Sequence, residues 1–213
     1  MTKQNLTLPD DMWYHISQQN AHAMFILSMT TKILRKQLCS YDDDITEGKV
    51  NFMHNVKYVE IHNIICCVIS ITNTLLNSNI INADCVIVAN FDNPSLTKST
   101  ISIYNSKCSI FNTKINAIGS ASFATHGISA KLSTVNVHNS SFNIFGHGAC
   151  IYSIKSNIYA TCCGFGPEHN NNNKHAALVL KESVLHSNNN IFTTKEPILS
   201  IKSVVHSNNN VHW

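Results

Sequence analysis

Charge, glycine and long apolar runs are all scarce in this sequence, and each shortage removes a class of protein. Only 13% of the 213 residues are charged and the net charge is +3. The basic residues are scattered along the chain, so the electrostatic footprint of a nucleic-acid binder is missing, and any charged partner would need a local patch. No run reaches the roughly 18–20 apolar residues of a membrane-spanning helix. The opening MTKQNLTLPDD also lacks the apolar core of a signal peptide. The chain therefore reads as soluble and cytoplasmic or nuclear, or as host-cytoplasmic if it is a viral or bacterial effector, with neither membrane nor nucleic acid as partner.

Glycines number 7, and none marks the sharp elbow that presents a nucleophilic Ser. Eight cysteines are present, including the doublets Cys66-Cys67 and Cys162-Cys163, but the regular spacing of a disulfide scaffold is absent. Reduced, buried thiols are expected. Neither Cys-x-x-Cys nor His-x-x-x-His occurs, so a transition-metal site lacks its three or four converging ligands. His186, His206, His169 and His175 read as surface or corner residues, and neither metal nor cofactor is expected.

What the sequence does have is 44% hydrophobic residues, enough for an elongated core. Asn makes up about one residue in eight, well above ordinary usage. His-Ser-Asn-Asn-Asn is written twice in phase, since Ser183, Val184 and His186 recur as Ser203, Val204 and His206. From Val50 onward short β-branched runs alternate with Asn and Ser. Cys85 and Cys108 are 23 residues apart, Phe142 and Phe165 are again 23 apart, and Ile191 and Val211 are 20 apart. The step from Cys108 to Phe142 is longer, and PEHNNNNKH (167–175) reads as a loop thrown out of one turn.

Such a period with strand-like alternation predicts a solenoid, a right-handed parallel β-helix of about seven coils. Stacked coils lie about 4.8 Å apart, so Asn residues at one bend can bond to those of the next and tolerate its left-handed backbone. Asn188, Asn189 and Asn190 over Asn208, Asn209 and Asn210 are the expected ladder.

The first forty residues have a different texture. Thr7-Leu8-Pro9-Asp10 is a capping-box start. A short helix should follow, burying Met12 and Ile16. A second, capped by Asn20, should carry Ala23, Leu27, Thr30, Leu34 and Leu38 on one stripe, with Lys32, Arg35 and Lys36 near its C-terminal end. The acidic stretch 41–49 reads as a solvated linker.

The stretch LPDDMWYHISQQNAHAMFILSMTTKILRKQL resembles an F-box, the helical module that docks a Skp-type adaptor in cullin-based ubiquitin ligases. Leu8-Pro9, the pair Asp10-Asp11, Ile16 seven residues after Pro9 and the helix ending in a basic cluster carry the resemblance. Some F-box proteins continue into β-helix repeats, the order of modules read here. The resemblance implies adaptor binding through Leu8, Pro9, Met12 and Ile16, and a β-helix that holds a client protein.

The expected organisation is mainly β: an F-box-like head over 1–40, an acidic linker over 41–49 and β-helix repeats over 50–213. The expected function is non-catalytic recognition. The rival reading is a carbohydrate-binding or carbohydrate-cleaving protein of pectin-lyase-like type, in which the head is only a cap. Glycoside cleavage needs two carboxylates roughly 5–10 Å apart. Glu60, Asp84, Asp92, Glu168, Glu182 and Glu196 do not recur in phase, and Glu182 aligns with Lys202.

Overall fold

The structure is a computed structural model that describes residues 12–13, 20–30, 32–41, 44–54, 56–64, 67–71, 74–94, 99–119, 124–166, 177–194 and 197–212. Its bulk is a parallel β-solenoid with three stacked sheets of nine, seven and six strands. The nine-stranded sheet runs through Cys39–Ser40, Val50–Met53, Cys67–Ile71, Asp84–Val88, Lys107–Phe111, Thr134–His138, Asn157–Thr161, Val184–Asn188 and Val204–Asn208. The seven-stranded sheet begins at Tyr58–His62 and ends at Ile198–Ile201. The six-stranded sheet begins at Phe91–Asn93 and ends at Val211–His212.

Six coils are complete, with one strand in each sheet; the coil that starts at Tyr58 has its third side reduced to a single bridge between Leu75 and Phe91. The solenoid thus makes about six turns rather than about seven, because that coil is too short to lay down a third strand. Cys85 over Cys108, Phe142 over Phe165 and Ile191 over Val211 are true stacking partners. The long step from Cys108 to Phe142 is instead a comparison of two different sides: Cys108 pairs with Val135, and Phe142 with Ile115. The loop 167–175 lies outside the described residues.

Five of the six complete coils owe their shape to two corners where the backbone turns left-handed. Asn105 and Asn112, Leu132 and Asn139, Lys155 and Cys162, Glu182 and Asn189, and Lys202 and Asn209 all have φ between 46° and 55° and are seven residues apart. A five-residue strand fits between them, and its alternation sends Val135 and Val137, or Ile158 and Ala160, into the interior. The segment between these corners is constant; the connection from the six-stranded to the seven-stranded sheet varies, so coils step by 19 to 27 residues.

One column of side chains closes the first corner. After the first corner, the Ser106, Ser133, Ser156, Ser183 and Ser203 hydroxyls each accept the backbone N–H one coil below, at 3.0–3.2 Å. Each Ser also donates to the carbonyl two residues behind it, as Ser133 does to Lys131 at 2.8 Å. These contacts pair backbone groups that the sharp bend leaves outside the sheet ladder. Sequence reading missed this column beyond Ser183 and Ser203. Its signal was a Ser directly before each of the strands that start at Lys107, Thr134, Asn157, Val184 and Val204.

At the N-terminal end, α1 (Ala21–Ser28) and α2 (Lys32–Leu38) lie on the outer face of the nine-stranded sheet. Asn20 caps α1, its Oδ1 accepting the Ala23 N–H at 3.2 Å. Ala21, Met24, Leu34 and Leu38 are buried on the outward-facing Val50, Val68 and Val86, with Trp13, Phe25 and Phe111 at the margin. The single long helix expected from Asn20 to Leu38 is broken after Ser28. The Ser28 and Thr30 hydroxyls donate to the Phe25 and Leu27 carbonyls at 2.8 Å, and Met29 and Thr30 close tight turns onto Ile26 and Leu27. The break shifts the contact stripe: Leu34 and Leu38 are buried as expected and Leu27 packs half-buried at its margin, but Ala21 and Met24 take the places expected for Ala23 and Thr30.

The turn before Val50 is tied to the sheet by the buried Asn51. Its amide donates to Thr46, Lys49 and Val68 carbonyls at 3.1 Å, and its oxygen accepts the Thr46 N–H at 2.8 Å. Cys39–Ser40 already pairs with Val50 and Asn51.

Candidate functional site

The outer face of the nine-stranded sheet carries one continuous column: Val50, Val68, Val86, Ser109, Asn136, Tyr159, His186 and His206. The helices cover the three valines; beyond them Ser109 is still buried, Asn136 and His186 are half-buried, and Tyr159 and His206 are exposed. Asn136 donates its amide to the Ser109 hydroxyl at 3.2 Å. The Tyr159, His186 and His206 rings then stack with centroids 4.7 Å apart and planes within 13° of parallel. The next column outward holds His138, Thr161, Asn188 and Asn208. One sheet face is therefore apolar and helix-covered at one end, polar and open at the other.

The Asn triplets divide into three roles. Asn188 and Asn208 end their strands, exposed, and Asn189 and Asn209 are the left-handed corner residues. Asn190 is buried: it accepts the Cys163 N–H at 2.7 Å and donates to the Ala160 carbonyl and Ser187 hydroxyl at 2.9 and 2.8 Å. Asn210 accepts the Asn190 N–H at 2.9 Å. The bonds at this step therefore run from side chain to backbone. Amide-to-amide ladders form at other positions, Asn63–Asn82–Asn105, Asn112–Asn139 and Asn116–Asn143, at 2.7–3.1 Å.

Of the four residues matched to adaptor anchors, Leu8, Pro9 and Ile16 lie outside the described residues. Met12 is described and 47% exposed rather than buried. Ile26 and Met29 are likewise exposed on the helices.

A polar groove of about 460 Å³ follows the second corner, lined by Asn90, Asn112, Lys114, Asn139, Ser140 and Cys162 among others, with no carboxylate among the described residues of its walls. The described acids of the solenoid are dispersed over different sides. Glu60 is on the seven-stranded sheet, Asp84 on the nine-stranded sheet 3.8 Å from Lys107, Asp92 on the six-stranded sheet, and Glu182 at a corner 3.7 Å from Lys155. Glu168 and Glu196, like His169 and His175, fall outside the described residues. Among the described residues no three His, Cys, Asp or Glu side chains converge as metal ligands.

The seven described cysteines form no disulfide. Cys67, Cys85 and Cys108 form an inward column. Its hydrogen bonding with Cys108, together with burial, pushes the Cys85 thiol well above its ordinary range. Burial raises Cys150 to about 12 and Cys163 to about 11. Such thiols are inert packing groups.

The fold defines the class, a parallel β-solenoid with short helices on one flank. No family model matches the chain, and no curated protein or solved structure matches it either.

Proposed function

We propose that the chain is a non-catalytic recognition protein. In this reading Leu8, Pro9, Met12 and Ile16 dock a Skp-type adaptor of a cullin-based ubiquitin ligase, and the solenoid holds a client protein for ubiquitin transfer. The observation that supports it best is the division of one sheet face: the helices take up Val50, Val68 and Val86, while the column from Asn136 to His206 stays open. Met12, Ile26 and Met29 expose apolar surface on the helical part, the kind of surface that anchors a protein partner. Ligase chemistry would sit on other subunits, this chain contributing proximity and orientation. Calorimetry of the full chain with purified adaptor tests the reading. Leu8→Ala with Pro9→Ala should weaken binding by about 2 kcal/mol or more while the far-ultraviolet spectrum is unchanged. Absent binding, or equal binding by the variant, removes the ligase reading and leaves a helix-flanked binding solenoid.

A second reading, a sugar-binding module, is favoured by the groove of Asn, Ser and Thr side chains at the second corner. The dispersal of the acids supports binding rather than cleavage there. Retention on immobilised polyuronates, lost in Asn112→Ala with Asn139→Ala, would put this reading first; no retention on any glycan removes it.

A further inference from the structure

Four lysines spread over the second half of the sequence are brought by the solenoid to one corner. Lys131 and Lys181 end strands of the seven-stranded sheet, and Lys155 and Lys202 are the left-handed residues that follow such strands. All four therefore stand at the first corner, in four different coils. Lys131 Nζ lies over the Tyr104 ring at 5.7 Å and Lys181 Nζ over the Tyr152 ring at 5.2 Å, which holds both ammonium groups at the surface. Glu182, paired with Lys155 at 3.7 Å, is the one acid of this stretch of corner among the described residues. The adjoining open columns on the nine-stranded sheet, from Thr134 and Asn136 to Val204 and His206, carry no carboxylate.

We propose that this ridge, with the Tyr159–His186–His206 column beside it, is the docking surface for an acidic segment of a partner protein laid along the solenoid axis. The assignment rests on the reading of the solenoid as the client-holding half. Four lysines against one glutamate set the sign of the partner's charge. One rung per coil, at steps of about 4.8 Å, sets its direction. The ridge is narrow, and the polar Thr, Asn, Tyr and His side chains beside it suit hydrogen bonding to a peptide backbone. A nucleic-acid backbone calls for a broader basic face.

Fluorescence anisotropy of the full chain with a labelled glutamate-serine repeat peptide tests the proposal, with a lysine-serine repeat peptide and a single-stranded oligonucleotide as comparisons. The variant Lys131→Gln, Lys155→Asn, Lys181→Gln, Lys202→Asn keeps an unbranched-stem polar side chain on the strands and places Asn where the backbone is left-handed, so its thermal midpoint should not fall. Glutamate-serine binding should weaken with salt and drop at least about tenfold in the variant. An unchanged affinity in the variant, no binding by the parent chain, or tighter binding of the oligonucleotide overturns it. Adaptor binding by the parent chain separates the two claims: adaptor affinity without peptide binding removes the ridge alone, and peptide binding without adaptor binding removes the ligase reading alone.

Discussion

The ring of Phe165 lies 5.0 Å from that of Phe142 one coil away, the two planes 23° from parallel. Phe192 continues the stack at 5.2 Å, and all three rings are buried. Phe165→Ala should open a cavity inside the stack and cost about 3–5 kcal/mol. Phe165→Leu should cost less. Urea unfolding of the two variants checks the order, and a loss below about 1 kcal/mol for the Ala variant would mean that the coils close over the gap.

Asn190 replaces with one amide what a hydroxyl does at the other corners. Asn190→Ala strands the Cys163 N–H and takes a donor from the Ala160 carbonyl and from the Ser187 hydroxyl, which keeps its bond from Asn210, and should cost about 2–4 kcal/mol. Asn189→Gly, at the exposed left-handed residue beside it, should be nearly neutral. Equal losses in the two variants, read by denaturant midpoint, would contradict the division of roles.

Leu132 holds a left-handed corner, φ 53°, where three earlier coils have Asn. Leu132→Asn should relieve backbone strain of about 1 kcal/mol and let its amide reach Asn105, extending the Asn63–Asn82–Asn105 ladder. A rise in thermal midpoint is the expected result. A fall would show that the side chain contributes more than its conformation costs.

Ser153 points into the core and, among the described residues, its hydroxyl has no hydrogen-bond partner. Ser153→Ala should therefore stabilise the solenoid by about 1 kcal/mol, the desolvation cost of an unmade bond. A loss of stability in calorimetric scans would instead indicate that the hydroxyl is satisfied.

The buried thiols give stability a pH dependence on the alkaline side. Burial raises Cys150 from 9.0 to about 12 and Cys163 to about 11. Between pH 9 and those values the unfolded chain releases thiol protons that the folded chain retains, so stability falls as pH rises through this window and is indifferent to these thiols below it. Unfolding midpoints measured from pH 8 to about 11 should decline less steeply in Cys150→Ala than in the parent chain. Parallel declines would assign the loss to other groups.

The repeating unit was legible because stacking forces equal phases to solve equal problems. Cys85 over Cys108, Phe142 over Phe165 and His186 over His206 could be read from spacing alone. The error at Cys108 and Phe142 has the same origin. A coil has three sides, and a sequence period does not say which side a residue occupies when one connection changes length. The break after Ser28 was hidden because hydroxyls that bond backward onto carbonyls look, in sequence, like ordinary helix positions.

The sequence by itself determined the β-solenoid and its interior: β-branched alternation and left-handed Asn corners leave few other ways to bury 44% hydrophobic residues. Only the tertiary structure decided which surfaces are open. Val50, Val68 and Val86 are a short apolar column that the helices cover, and no local pattern says that the same column becomes Tyr159, His186 and His206 further on. Lysines 131, 155, 181 and 202 are far apart in the chain, and they make one ridge because coils of unequal length return to the same corner. Burial depends on local alternation, which a sequence displays. Surface constellations depend on where the chain returns, which is set by packing between coils.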